Sequence, residues 1–396
     1  MALVSEVGEL ISMIPRIVGY HPADELVVVF TCDNLTRAVL GVPLPVDATE
    51  ERLTSVRAVV KQHSIDGYHV IGYGPEALVA TGVGALRSRL PPLAAHGIYR
   101  VDNGRYYAIM CPATCSCSAA ERCSPGGNPL PDAPPAVVEQ IVAGQAAAAD
   151  RGEALQFLIP TAGQQRHTAD YETLLACYEL VSAHITADRR WEPDARRIVE
   201  DARDLVETAS TVWRQRTLTD REIARLALAM HIHPVRVEAV RRAANVVAEG
   251  DPDDIAAHVG VWLDVMRRSH TLLMPVAAAV YACVAYTNRQ TLHAAAAAQI
   301  ALNLNAECEF AHHIDQIVTR LVPFSVHLDA VTGSIAELRH TWGTPRRTWL
   351  NELGNIIAAV YAQFSHEDRV TALRLVPQHP RQPELLPPPA AAPGSS

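Results

Sequence analysis

Four of the eight cysteines fall in one short segment, Cys111, Cys115, Cys117 and Cys123, with the spacing C-x3-C-x-C-x5-C. Thiolates are soft ligands, and four of them can enclose Zn2+ in a tetrahedron with arms of about 2.3 Å. The glycines and prolines nearby would let a loop wrap such an ion. A site filled by four sulfurs has no open position, so a zinc held there would be structural. The paired C-x2-C knuckles of common zinc modules are missing, and a disulfide or plain free thiols account for the same residues.

A second set of side chains lies around the strand-forming runs. Tyr20, Pro22 and Asp24 stand just ahead of the first run, Asp33 follows it, and Tyr73 ends a later one. At the strand ends of an open sheet such residues line ligand clefts. Pro-x-Asp is equally a rigid turn closed by an Asx hydrogen bond.

Three further patterns fall short of their motifs. Gly72-Tyr73-Gly74-Pro75, followed by Gly82 and Gly84, sits where phosphate loops occur. Ala77 breaks the G-x-G-x-x-G spacing and Pro75 removes an amide donor, which leaves a proline-started helix. Residues 219–241 open like a helix-turn-helix but lack the turn glycine, and Pro234 falls where a buried aliphatic belongs. His231 with His233, and His312 with His313, lack the i, i+4 spacing of a helical metal pair and read as surface or capping histidines.

These groups need elements to hold them. Residues 5–17 form a short helix, and Glu25 to Thr31 is a continuous apolar, β-branched run, the mark of a strand buried on both faces. Arg37 to Val42 returns as its hairpin partner. Glu50–Gln62 and Pro75–Leu90 are helices, Tyr68–Tyr73 and Ile98–Val101 strands, and Asn103-Gly104 turns the chain into Tyr106–Met110. A helix opens at Pro134-Pro135 and runs to about Asp150. Beyond Pro160 only helical periodicity remains, with stripes over Ala195–Trp213 and Asp253–Arg268. Thr219 with Glu222 is a capping-box pair, and Pro234 and Pro252 suit first helical turns. The fold class is therefore an α/β N-terminal domain, a mixed sheet with flanking helices, followed by an all-α domain. The divisions expected are 1–132, a connecting helix and linker at 133–164, helices at 165–375, and a Pro/Ala-rich disordered tail at 376–396.

Composition narrows the function. A chain of 396 residues is long for one core. A net charge of −9 speaks against nucleic acid, which demands a basic footprint. The N-terminus has no signal-peptide pattern, and the longest apolar stretch, Leu272 to Tyr286, is shorter than the roughly 18 residues of a membrane span. A cytoplasmic location without membrane insertion follows as an expectation, and eight cysteines in such a chain do not suggest a disulfide scaffold.

The segment Gly19-Tyr20-His21-Pro22-Ala23-Asp24-Glu25-Leu26-Val27 resembles the G-F/Y-x-P-x-x-S-L-V opening of the actinobacterial domain-of-unknown-function family numbered four-one-nine-two. Cys123-Ser124-Pro125-Gly126-Gly127-Asn128-Pro129-Leu130 is similar to its C-P-x-x-G-x-P-L. Asp220-Arg221-Glu222-Ile223-Ala224-Arg225 and Val235-Arg236 are similar to its D-x-E-x-A-R and V-R segments, and 294–311 to its closing stretch. The resemblance implies the two-part fold and brings no activity. Glu25 stands at the family's usual serine, which removes any serine nucleophile.

The first functional expectation is a non-enzymatic accessory protein whose helical domain meets a protein partner. The alternative is an enzyme or small-ligand binder with its pocket at the strand ends, using Tyr20, Pro22, Asp24, Asp33 and Tyr73. A third is zinc or redox sensing through the cysteine segment.

Overall fold

The computed structural model describes residues 7–33, 35–45, 60, 65–88, 90, 93–110, 126–131, 147–156, 158–160, 164–184, 195–319 and 348–375. The cysteines at 111–123, the start of the helix expected from Pro134 and the proline-rich tail lie outside them, as does all but Val60 of the helix expected at 50–62. Packing divides the chain into two compact units, Met1–Ile159 with Tyr281–Ala330, and Pro160–Val280 with Val331–Ser396.

The first unit is built on a mixed sheet. In chain order it holds α1 (Val7–Val18), β1 (Glu25–Cys32), β2 (Leu35–Pro43), β3 (Gly67–Tyr73), α2 (Glu76–Arg87), β4 (Ala94–Asp102), β5 (Arg105–Met110), β6 (Asn128–Pro129) and α3 (Arg151–Gln156). The sheet order is β2-β1-β3-β4-β5-β6. Its pair β3–β4 is parallel, joined through α2, and the other neighbours are antiparallel.

The apolar run of β1 explains its central place. Leu26, Val28 and Phe30 pack on one face with Val79, Val83 and Leu86 of α2, while Val27 and Val29 meet Leu10, Ile11 and Ile14 of α1 on the other. Each such side chain contributes about 1.5–3 kcal/mol when fully buried, so a strand apolar on both faces is stable only in mid-sheet. At the β4–β5 turn, Asn103 (φ 50°) and Gly104 (φ 71°) are both left-handed, as a two-residue type I′ hairpin requires.

Gly72 has a packing role. A Cβ there would lie 2.3 Å from Cγ1 of Val79, so its absence lets α2 lie close on β3. Of the helix expected to reach Asp150, residues 147–150 are described and are not helical. Ala148 instead bridges to Tyr20, and helix begins only at Arg151.

The remaining elements are helices: α4 (Gln164–His184), α5 (Ala195–Gln215), α6 (Asp220–Ala229), α7 (His233–Glu249), α8 (Pro252–Arg268), α9 (Met274–Thr287), α10 (Thr291–Leu304), α11 (Glu309–Thr319), α12 (Thr348–Ala362) and α13 (His366–Leu375). The division between units falls inside α9. No described helix is long and apolar enough to cross a membrane.

In the second unit the local signals act as expected. Pro234 and Pro252 sit in the first turns of α7 and α8, and Gly250 (φ 78°) ends α7. Ion pairs tie α6 to its neighbours: Arg221 to Glu172 and Glu179 of α4, and Asp220 to Arg268 of α8.

Thr219 and Glu222 form the reciprocal capping box at the start of α6. Arg216 grips the same glutamate at 2.6 and 2.7 Å and, with the Thr219 contacts, holds its carboxyl down to about 2. Thr219→Ala removes the cap and is expected to cost about 1 kcal/mol, read as a lower urea midpoint with an unchanged m-value.

Candidate functional site

Glu25 is a carboxylate at the start of a central strand, only 3 % exposed. Three elements converge on it. Helix α1 ends at Gly19 (φ 87°), whose N–H bonds to the Pro15 carbonyl, and the chain then turns to present Tyr20. The Tyr20 hydroxyl donates to Oε2 of Glu25 at 2.6 Å.

The bridge between Tyr20 and Ala148 is closed by His21 N–H to the Ala148 carbonyl and Ala148 N–H to the Gly19 carbonyl. That bridge delivers α3 to the same place. Asp150 caps this short helix through the Glu153 N–H, and Glu153 reaches back to the Ala149 N–H. From its first turn Arg151 donates to Oε1 of Glu25 at 3.2 Å.

Gly41 of β2 leaves the space the carboxylate fills. A Cβ at Gly41 would lie 2.4 Å from Oε1 of Glu25 and 3.2 Å from the Tyr20 hydroxyl oxygen. Tyr73 is the cross-strand neighbour of Glu25, and its buried hydroxyl has no hydrogen-bond partner among the described residues. Burial and the Glu25 charge push both tyrosine hydroxyls well above their ordinary range, so they stay protonated at neutral pH.

Beside this triad opens a cleft of about 180 Å³, lined by Tyr20, Ala23, Asp24, Glu25, Pro43, Asp150, Arg151 and Gly152. At about 30 Å³ per water it has room for roughly six waters. Three lining carboxylates face one guanidinium, so the local charge is negative. Asp24 is exposed and left-handed (φ 49°), and its Oδ1 sits 2.8 Å from where a Cβ on Gly74 would be. The cleft opens where β1 starts and β2 ends, at Glu25 and Pro43, a strand-end position of the kind at which open sheets take ligands.

Of the five side chains predicted for a strand-end pocket, Tyr20 and Asp24 line the cleft and Tyr73 borders Glu25 from beneath it. Pro22 is buried in the segment between them. Asp33 is elsewhere. It follows β1, eight residues beyond Glu25, about 26 Å away at roughly 3.3 Å per residue. There its N–H bonds to Asp66, and its carboxylate, that of Asp66 and the Cys32 thiol lie within 4.8 Å of one another.

Glu25, Arg151, Gly41 and Asp150 were not anticipated as site residues. A glutamate leading an otherwise apolar central strand was the available signal for the first. Arg151 has none, since 126 residues separate it from Glu25.

The histidine reading needs one correction. His312 and His313 are exposed, but the Nε2 of His231 is enclosed, and burial pushes that imidazole down to about 4. It sits in the tight α6–α7 turn, where Pro234 starts the next helix.

No curated protein and no solved structure matches this chain. A family model described as "Domain of unknown function (DUF4192)" matches residues 8–323, from the first turn of α1 to just past α11. The match spans the sheet, the cleft and most of the helices, and the chain belongs to the DUF4192 family.

Proposed function

We propose that this is a small-ligand-binding protein, whose strand-end cleft takes a compact molecule bearing a protonated amine. The observation that carries the reading is the buried Tyr20–Glu25–Arg151 triad beside a negatively charged cleft. A carboxylate in a central strand is expensive unless each oxygen is satisfied, and here both are. The triad is thus a fixed wall, and Asp24 and Asp150 are the carboxylates left to meet a cation.

Binding is favoured over catalysis because Glu25 is saturated by its two partners and the tyrosines are held neutral. Neither offers a ready base or nucleophile. A protein partner on the helical unit has less behind it. Of the large apolar side chains exposed among the described residues (Ile109, Ile159, Leu304 and Leu375), only Leu304 and Leu375 fall within the helices of 165–375, at the ends of α10 and α13. A cytoplasmic setting suits a small-molecule binder and is part of the proposal.

Calorimetric titration of the full chain with ethylamine, putrescine and lysine, against acetate and glutarate, tests it. Amines bind saturably, and Asp24→Asn with Asp150→Asn weakens them at least about tenfold, since a charge-assisted hydrogen bond contributes about 1.5–3 kcal/mol. Asparagine still caps α3. Equal responses to amines and carboxylates, or binding untouched by both substitutions, would overturn the reading.

A further inference from the structure

The face of the sheet that carries Glu25 holds a second polar cluster at its opposite end. Along β1, alternation puts Thr31 on the side of Val27 and Val29, and along β3 it puts His69 on the side of Ile71 and Tyr73. The β3–β4 register slips between Tyr68 and His69 of β3, which pair with Ala95 and Gly97, so His96 of β4 is the extra residue of a bulge. Such bulges re-aim a side chain, and here the ring of His96 is laid over Gly67. A Cβ on Gly67 would lie 1.9 Å from Nε2 of His96, so the glycine supplies the hollow that this nitrogen occupies. Thr31 is the cross-strand partner of Gly67.

Three atoms here are enclosed and lack hydrogen-bond partners among the described residues: Oγ1 of Thr31, Nδ1 of His69 and Nε2 of His96. Each unpartnered buried polar atom costs about 1–3 kcal/mol, and three from three adjacent strands is a concentration that asks for a ligand. The ring centres of His69 and His96 are 5.4 Å apart and tilted by 41°. Two imidazoles bound at about 2.0–2.1 Å to one tetrahedral ion have ring centres about 5 Å apart, close to that separation. Burial, and then the neighbouring His96, lower His69 to about 4, so its ring is neutral at pH 7 and keeps a lone pair to give.

We propose that His69 and His96 bind a divalent transition-metal ion of the Zn2+ class, with Thr31 holding a water in one of the ion's remaining positions. The donor set is imidazole nitrogen, which suits zinc, copper and nickel rather than calcium or magnesium. Two protein ligands leave the ion open, unlike the closed four-sulfur site expected from the cysteines. The proposal is independent of the amine cleft, since the two clusters share no residue.

The test is a Zn2+ titration of the chelator-treated full chain, comparing wild type with His69→Ala, His96→Ala and Gly67→Ala. Each variant is expected to bind one equivalent of Zn2+ fewer than wild type, whatever the cysteines hold, and Gly67→Ala acts by filling the hollow. Long-range 15N spectra of the wild-type imidazoles supply a readout that needs no variant, with Nδ1 of His69 and Nε2 of His96 shifting as Zn2+ is added. Unchanged stoichiometry in both histidine variants, or ring nitrogens that do not respond to the metal, would overturn the site and leave a bridging water as the partner of these polar atoms.

Discussion

Arg151→Ala is expected to destabilise the sheet unit by about 2–3 kcal/mol, lowering its melting temperature by about 4–12 °C. The side chain of Glu25 is 4 % exposed, while that of Arg151 is 40 % exposed. Removing one partner of a fully buried pair costs about 3–5 kcal/mol, because the other charge stays behind without compensation. Water reaches the Arg151 side of this pair and screens it, so the loss falls to the foot of that range and below it. The Tyr20 hydroxyl remains on the second oxygen, and Tyr20→Phe removes it at a further cost of about 1.5–3 kcal/mol, as for a hydrogen bond to a charged group.

The diagnostic variant is the double substitution Glu25→Gln with Arg151→Ala. With the charge gone, Arg151 has little left to compensate, so the double variant loses less than the two single effects summed. Gly41→Ala drives a methyl against the same carboxylate and reproduces the loss from the opposite side. Thermal melts of wild type, Glu25→Gln, Arg151→Ala and the double variant decide it. An Arg151→Ala melt that matches wild type, or full additivity in the cycle, would sink the claim that this ion pair holds the cleft together.

What was legible in the sequence was whatever is fixed by neighbours along the chain. The run Leu26 to Phe30 identifies β1 and its double burial, because period and composition are local. Thr219, Glu222, Asn103 and Gly104 announce their cap and turn by backbone chemistry within four residues. Tyr20 and Asp24 were recognisable as residues waiting at a strand end. Asp33 belonged to the same argument, yet a strand of eight residues stands between it and Asp24, so one cleft could never hold both.

Arg151 was hidden for a different reason. Its place depends on the bridge between Tyr20 and Ala148, a pairing of two distant segments that no periodicity encodes. Gly67 and Gly72 were invisible in the same way. What makes each necessary is a side chain from another element, His96 in one case and Val79 in the other. The spacing of His231 to His233 carries no sign of its enclosure, which arises in the fold, where its ring meets the backbone of Leu273, 42 residues on.

That burial leads to the largest effect expected of solution conditions: acidification from pH 7 to pH 5 should destabilise the helical unit by about 2 kcal/mol for each of His231 and His258. Burial lowers both imidazoles to about 4, with Arg236 adding to the effect on His231 and Arg242 to that on His258, while a backbone bond to Leu273 opposes it at His231. His258 is only 4 % exposed, and its Nε2 has no partner to stabilise a proton. An unfolded histidine titrates near 6.5, so the unfolded chain takes up protons first as the pH falls. The stabilising difference is complete above about 6.5 and is lost progressively towards 4, at up to about 1.4 kcal/mol per pH unit for each ring. Glu222 acts lower, because its depressed carboxyl near 2 contributes above its unfolded value near 4.5 and fails only below that. Between pH 6.5 and 5 the histidines therefore set the slope for this unit. Near-UV circular dichroism melts at pH 7.5, 6 and 5 measure it, with His258→Gln expected to reduce the slope and the double variant with His231→Gln to leave only the share of His233, whose ring burial also lowers. A wild-type melting temperature that stays level from pH 7.5 to 5 would show that these rings take up protons in the folded state as easily as in the unfolded one.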